Sequence, residues 1–571
     1  MAVDSTKQKE SHDMAATSET VGYDAVVIGA GFAGLYSLYR LRNVLGLSVR
    51  VYEAGGGVGG TWYWNRYPGA RCDTESYMYC YSFDKELLQE WNWSGKYPEQ
   101  PEILRYLDHV ADRFDLRKDI QFNARVTSAK FVETENQWEV ETDTGERVRA
   151  QFVIAALGIL SAPNVPNIKG LDSFEGEWHF TGAWPHEGVD LNGKRVGVIG
   201  TGSSGVQSIP VIAAQAKHLY VFQRTANYSI PARHETVDQN FLEEVKAHYD
   251  ELWEKARWSP AGVAHLAADP PQNQLALEVN DEQRRAFFEA GWMQGGFKFA
   301  YAYPDTYTDR RANDTISEFI RMKIREVVKD PETAEKLVPV DHPFGSKRPL
   351  IDSDYFETYN RDNVTLVDIR HSPIEEITRK GIRTADGDYE LDIIVFATGF
   401  DAITGAFDRI DIRGRNGFSL KEKWAEGPAT YLGLANAGFP NLFMIVGPGS
   451  TSVLVNLPVA IEQAVDWISD VIEHMRDRGM SAIEAEPEAE AKWGAHVKEL
   501  VDETLYMLAD SWFVGANIPG KPRVFPVYVG GGAAYRTKCN EVSAEGYRGF
   551  TLSGPRTSDS TRQTTAGSTR T

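Results

Sequence analysis

Two short glycine-rich segments carry the residue types and spacings that hold a dinucleotide. The first, Gly29-Ala30-Gly31-Phe32-Ala33-Gly34, follows a β-rich run at 23–28 and precedes the helix-like stretch LYSLYRLRNVLG. Gly29 permits a tight turn, Gly31 lets backbone approach a pyrophosphate, and Gly34 lets helix and strand pack closely. The start of the helix then stabilises phosphate charge. The next β-rich run, 47–53, ends on Glu53, 24 residues after the first glycine (53 − 29 = 24). A carboxylate there can accept from ribose hydroxyls. The pattern returns as a β-rich run at 194–199, then Gly200-Thr201-Gly202-Ser203-Ser204-Gly205, an apolar helix and a run at 219–224. This second run ends on Arg224 at the same spacing (224 − 200 = 24). An arginine in that place favours a 2′-phosphate. Together the two clamps predict FAD at the first and NADPH at the second.

Residues 59–73, just beyond Glu53, read GGTWYWNRYPGARCD. This run resembles the GGxWxxxxYPGxxxD signature of type I Baeyer–Villiger monooxygenases, and the resemblance extends from Tyr23 to about Phe550. It implies an FAD-containing enzyme that uses NADPH and O₂ to insert one oxygen atom next to a ketone carbonyl. The product would be an ester or lactone, formed through a C4a-peroxyflavin and a Criegee intermediate. It places Thr61, Trp62, Asp73 and Tyr79 among the cofactor contacts. Residues 343–349, PFGSKRP, look like the family's PFGxKR segment. By that match Arg348 is the catalytic arginine, also against the cofactor, and Asp73 is the carboxylate that orients it. Lys347 joins Arg224 at the 2′-phosphate. A fixed guanidinium that never loses its proton stabilises both an attacking peroxyanion and the oxyanion of the adduct. Trp512 matches a tryptophan that contacts the nicotinamide cofactor. Ser452, Val453 and Leu454 match residues that line an apolar ketone pocket. No metal is expected.

One family mark is altered. The fingerprint FxGxxxHxxxWP reads FEGEWHFTGAWP at 174–185, with Phe180 in the histidine position and His179 one place early. Neighbours in an extended segment face opposite ways, so His179 does not inherit the role. The change bears on coupling between the domains, not on the cofactors.

The elements that position these residues predict an α/β fold with two Rossmann-like dinucleotide-binding domains. The apolar run 391–399, LDIIVFATG, resembles the strand that returns the chain to the flavin domain in two-dinucleotide flavoproteins, and 152–158 is its weaker counterpart. The FAD domain is then 21–158 plus 391–552, and the NADP domain 159–232 plus 338–390. An insertion at 233–337 has helical periodicity, carries no recognisable chemistry and is expected to cover the cleft. The polar ends, 1–20 and 553–571, are expected to be disordered.

Composition excludes other classes. The 571 residues are 42% hydrophobic and 25% charged, as in soluble globular proteins of several domains. A net charge of −21 argues against nucleic-acid partners. No apolar run is long enough to span a membrane. Three cysteines without a CxxC pair give neither a disulfide framework nor a redox dithiol. With no signal peptide at the start, the expected place is the cytoplasm. The expected partners are a ketone and O₂, and the expected state is a monomer or weak homo-oligomer. Two alternatives stay open: an N- or S-oxygenating flavin monooxygenase, which needs no Asp–Arg pair, and a non-oxygenating NADPH oxidase or redox sensor.

Overall fold

The computed structural model describes residues 21–266 and 274–555. In chain order a first unit is built from β1 (Val21–Ile28), β2 (Val49–Tyr52), β3 (Ile120–Gln121), β4 (Val126–Val132), β5 (Gln137–Thr142) and β6 (Arg147–Ala155). A second unit begins with β7 (Glu177–Phe180), β8 (Arg195–Ile199), β9 (His218–Gln223) and β10 (Ser229–Pro231). After the insertion it continues with β11 (Leu350–Asp352), β12 (Val364–Asp368), β13 (Ile374–Thr378), β14 (Gly381–Thr384), β15 (Gly387–Glu390) and β16 (Ile393–Phe396). The chain returns to the first unit with β17 (Asp411–Arg413) and β18 (Leu442–Met444).

The parallel part of the first sheet runs β3-β2-β1-β6-β18, and the second sheet runs β12-β9-β8-β16-β7. The two series correspond strand for strand. Each central strand is apolar on both faces, with Val26, Val27, Val196 and Val198 fully buried, as a parallel sheet covered on both sides requires. The units differ in their antiparallel additions. β4 and β5 join the first sheet directly through β6, whereas β13-β14-β15 form a separate sheet beside the second.

This arrangement corrects the expected domain boundary. Residues 391–399 do not return the chain to the first sheet; β16 lies between β8 and β7, with Ile393 opposite Val196 and Val395 opposite Val198. Asp392 fixes that register. Its carboxylate accepts from the Arg195 backbone N–H at 2.8 Å and from Arg195 Nη2 at 2.8 Å. An apolar run specifies a buried strand but not its neighbour, and here the strand is laddered to both β8 and β7, with the Arg195–Asp392 pair at its start.

The insertion is helical, as its periodicity predicts: Gln239–Ala247, Tyr249–Arg257, Asp281–Gln294, Arg310–Val327 and Pro331–Leu337. Asp238, Asp309 and Asp330 cap three of these helices, and Asn280 with Gln283 forms a capping box. The helix Arg310–Val327 buries Ala312, Ile316, Ile320 and Ile324 in one stripe. At the other end, β19 (Met480–Ala485) pairs antiparallel with β20 (Phe550–Pro555), so ordered chain continues past 553. The predicted tail 1–20, and 556–571 of the other, lie outside the described residues.

Candidate active site

The two glycine turns follow the same backbone path. Gly29 has φ +106° and Gly200 φ +109°, values that favour glycine. A Cβ on Gly29 would stand 2.5 Å from the Ala156 carbonyl oxygen, and one on Gly200 would stand 2.5 Å from that of Ala397. A Cβ on Gly34 would meet the Gly29 oxygen at 1.8 Å, and one on Gly205 the Gly200 oxygen at 2.2 Å. The helices Phe32–Leu38 and Ser203–Gln215 start at Gly31 and Gly202 without a side-chain cap. Their first-turn N–H groups are thus available to a phosphate. Both turns fit the pyrophosphate of a dinucleotide.

The terminal residues of the two clamps behave differently. Glu53 is buried and accepts from the N–H groups of Ala30 at 2.8 Å and Gly55 at 2.7 Å. Burial pushes its carboxyl above the ordinary range against the pull of those donors. Arg224 is exposed and lines a cavity of about 1030 Å³ together with Lys347. Burial lowers the Lys347 ammonium, Asp341 opposes this, and Arg224 adds to it. Two cations at one wall suit a 2′-phosphate.

The cavity is lined from both units and from the insertion. Its wall holds Thr61, Trp62, Asp73, Tyr79, Gly200, Thr201, Gly202, Ser203, Arg224, Lys347, Arg348, Val453, Leu454 and Trp512. Gly29, Gly31, Gly34, Glu53 and Gly205 lie outside that wall, at the turns themselves. Ser452 departs from expectation. It is fully buried, its backbone is left-handed at φ +41°, and its hydroxyl has no partner. That turn carries its side chain into the protein, while Val453 and Leu454 face the cavity.

At the centre stands Arg348. Its Nη2 donates to Asp73 Oδ2 at 3.2 Å, and its Nη1 donates to the Val453 carbonyl at 3.3 Å. The guanidinium lies over the Phe297 ring, 5.2 Å from its centroid. Burial raises the Asp73 carboxyl, and the Arg348 charge opposes that rise. Gln207, on the helix of the second clamp, donates from Nε2 to Asp73 Oδ1 at 3.2 Å and to the Arg71 carbonyl at 3.1 Å. Its Oε1 accepts from Tyr67 at 2.8 Å. Trp62 Nε1 donates to the Tyr79 hydroxyl at 3.2 Å.

Several of these contacts escaped sequence reasoning. Gln207 is one of several polar residues on a largely apolar helix, and nothing in its spacing marks it. Phe297, Lys298, Tyr301 and Tyr307 bring the insertion into the cavity wall, although no motif marks that segment. Glu75, paired to His265 Nδ1 at 2.7 Å, also lines the wall. With His265 and Tyr77 as partners, its carboxyl is held down at about 2 despite burial.

The fingerprint segment is β7 and the turn after it. Phe180 is buried and meets the Phe400 ring edge-on at 5.7 Å. His179 instead sets Nε2 3.2 Å from Glu177 and its ring beside Trp184 at 5.4 Å. The two side chains take different faces, as an extended segment demands.

Known proteins share this arrangement. A family described as pyridine nucleotide-disulphide oxidoreductase matches residues 26–259. A Baeyer–Villiger monooxygenase of Pseudooceanicola batsensis is 48% identical over 93% of this chain and 96% of its own length. The chain belongs to the Baeyer–Villiger monooxygenase family. Another relative within this range is a phenazine N-monooxygenase of Lysobacter antibioticus, 45% identical over 93% of this chain and 97% of its own. Among solved structures, OTEMO in complex with FAD and NADP is 44% identical with a TM-score of 0.89, covering 94% of this chain and all of that one (100%). In this Baeyer–Villiger monooxygenase the fold is α/β with two dinucleotide-binding units. No helix among the described residues is long and apolar enough to cross a membrane.

Proposed function

We propose that this protein is an FAD-containing monooxygenase that uses NADPH and O₂ to insert one oxygen atom next to a ketone carbonyl, giving an ester or lactone. The observation that carries this reading is Arg348, held by Asp73 and the Val453 carbonyl in the wall that also holds the second clamp. The solved relative with FAD and NADP supports the two cofactors. Gly29, Gly31, Gly34, Glu53, Thr61, Trp62 and Tyr79 would hold FAD. Gly200, Thr201, Gly202, Ser203, Gly205, Arg224, Lys347 and Trp512 would hold NADP. When bound, these cofactors supply the electrons that activate dioxygen.

The chain's own residues do the rest. Arg348 keeps a permanent positive charge facing the cavity and stabilises negative charge that develops on the carbonyl oxygen of the substrate. Asp73 and the Phe297 ring fix the guanidinium, so no reorganisation is required as that charge forms. Gln207 holds Asp73 from the opposite side. Val453, Leu454, Phe297 and Tyr301 present an apolar surface that excludes water from the carbonyl. The three free, buried thiols fit the cytoplasmic placement.

The deciding experiment reduces the purified yellow protein with NADPH without oxygen and then mixes it with oxygenated buffer and a ketone. One ester or lactone per NADPH is expected. Hydrogen peroxide with no ester, or an N-oxide from an amine substrate with no ester from any ketone, would sink the proposal. The phenazine N-monooxygenase relative makes the second control necessary.

A further inference from the structure

One side of the large cavity is an aromatic column that neither clamp uses. Tyr301, Tyr307, Tyr506 and Phe513 all line the wall. The Tyr301 and Tyr307 rings stack at 5.9 Å with 27° between their planes. Tyr307 meets Tyr506 at 6.2 Å, and Tyr506 meets Phe513 edge-on at 5.9 Å. The column starts beside the Arg348 guanidinium, because Phe297 under that group has its ring 6.4 Å from that of Tyr301. Two backbone features fix it there. The Leu505 N–H donates to the Tyr307 carbonyl at 2.9 Å, which joins the insertion to the segment carrying Tyr506. Gly345, three residues before Arg348, has φ +79°, and a Cβ on it would stand 2.4 Å from the Tyr307 ring.

Stacking needs only the rings and accounts for no hydroxyl. Those of Tyr301, Tyr307 and Tyr506 bond to no protein group among the described residues. The Tyr307 and Tyr506 oxygens are not sealed away from a probe, and Tyr301 keeps 40% of its surface open. All three lie deep enough that burial holds their ionisation above the ordinary phenol range. Open surface on so deep a group faces the cavity. The Tyr301 ring belongs to the apolar wall, and its hydroxyl does not.

A bound ketone that excludes water also takes water from these hydroxyls. Phenols left with nothing to bond weaken binding, and a ligand that brings an oxygen to them recovers the loss. A phenol can both donate to that oxygen and accept from it. We infer that the ketone of this site is a large, ring-built one with a second oxygen, hydroxyl or keto, at the end away from the reacting carbonyl. Tyr301, Tyr307 and Tyr506 bond that oxygen between them while the carbonyl faces Arg348, and the stacked ring faces suit a flat skeleton. The inference rests on the ketone-oxygenating reading above, but the phenol contacts do not depend on turnover.

Binding is therefore measured apart from the reaction. 4-Phenylcyclohexanone and 4-(4-hydroxyphenyl)cyclohexanone differ only in a distal hydroxyl. Each is dialysed to equilibrium against the full-length protein loaded with FAD and NADP⁺, and against the Tyr301→Phe/Tyr307→Phe/Tyr506→Phe protein, which keeps all three rings. The parent should bind the hydroxyl compound about tenfold or more tightly than the other. In the triple variant the ratio of the two dissociation constants should fall to within about twofold of one. A ratio cancels any loss common to both ketones. The inference is overturned if the parent binds the two alike, if neither binds, or if the variant keeps the parent's ratio. In that last case weaker NADP⁺ binding by the variant would assign the phenols to the cofactor. Should the triple variant lose its flavin, the single Tyr307→Phe and Tyr506→Phe proteins carry the same comparison. The expected ratios with ester from neither ketone would sink the reaction proposed above and leave this inference standing.

Discussion

The two nucleotide clamps share one backbone and part at one side chain. Gly29 and Gly200 have φ values of +106° and +109°, and each sits against the carbonyl oxygen of an alanine just after a neighbouring strand, Ala156 or Ala397. At the far end, Glu53 spends its carboxylate on Ala30 and Gly55 inside the protein, while Arg224 stands exposed beside Lys347. In the reading proposed above, the shared part, a turn and a helix start, would read what all dinucleotides have in common, and the differing part would read the ribose. The acid comes pre-ordered by its own backbone, and the base is held ready for a charge the protein does not itself supply.

The largest test of this comparison separates the turns. Gly34→Ala places a methyl 1.8 Å from the Gly29 oxygen, and Gly205→Ala places one 2.2 Å from the Gly200 oxygen. The first variant should purify almost without flavin. The second should keep its flavin and show an NADPH KM raised about a hundredfold or more. Absorbance of flavin per chain and steady-state kinetics decide this, and a fully yellow Gly34→Ala protein would break the equivalence of the turns.

Next in size is Arg348→Ala, which leaves both clamps intact. Loss of one preorganised charge-stabilising group costs about 10²–10³ in rate. NADPH should still bleach the flavin at the parent's rate while ester formation falls by that factor. Parent-like ester formation would remove Arg348 from the chemistry.

Arg224→Ala sharpens the difference between the clamps. Losing a charged hydrogen bond to the 2′-phosphate should narrow the preference for NADPH over NADH by about tenfold or more. The ratio of kcat/KM for the two nucleotides measures it. An unchanged ratio would mean the specificity lies elsewhere.

The smallest expected effect belongs to Gln207→Leu. Gln207 rises from the second clamp's helix and bonds Asp73, which is carried on the segment after the first clamp. Its loss should leave flavin content unchanged and raise the fraction of NADPH lost as hydrogen peroxide a few-fold. A parent-like ratio of ester to peroxide would show that the two clamps are joined to the Arg348–Asp73 pair by other contacts.

Much of this protein was legible in its residues. Each clamp is complete within a short stretch: strand, turn glycines, helix start and a terminal acid or base 24 residues on. Such features depend on local backbone sterics, which residue type alone sets. The insertion's helical character was readable for a similar reason, through its periodicity. The motif resemblance named Arg348 and Asp73, although they stand 275 residues apart.

What stayed hidden was pairing at a distance. The strand Ile393–Phe396 announces that it is buried, but its place between β8 and β7 of the second sheet is visible only in the structure. Ser452 matches a pocket-lining position by motif, and its left-handed turn takes it out of the wall. The insertion shows no motif, yet Phe297 lies under the Arg348 guanidinium. Residue types and short spacings thus determined which chemistry this chain could hold. Tertiary structure decided which side chains meet around it, because strand partners and side-chain contacts are chosen by packing among segments far apart in the chain, about which no local pattern carries information.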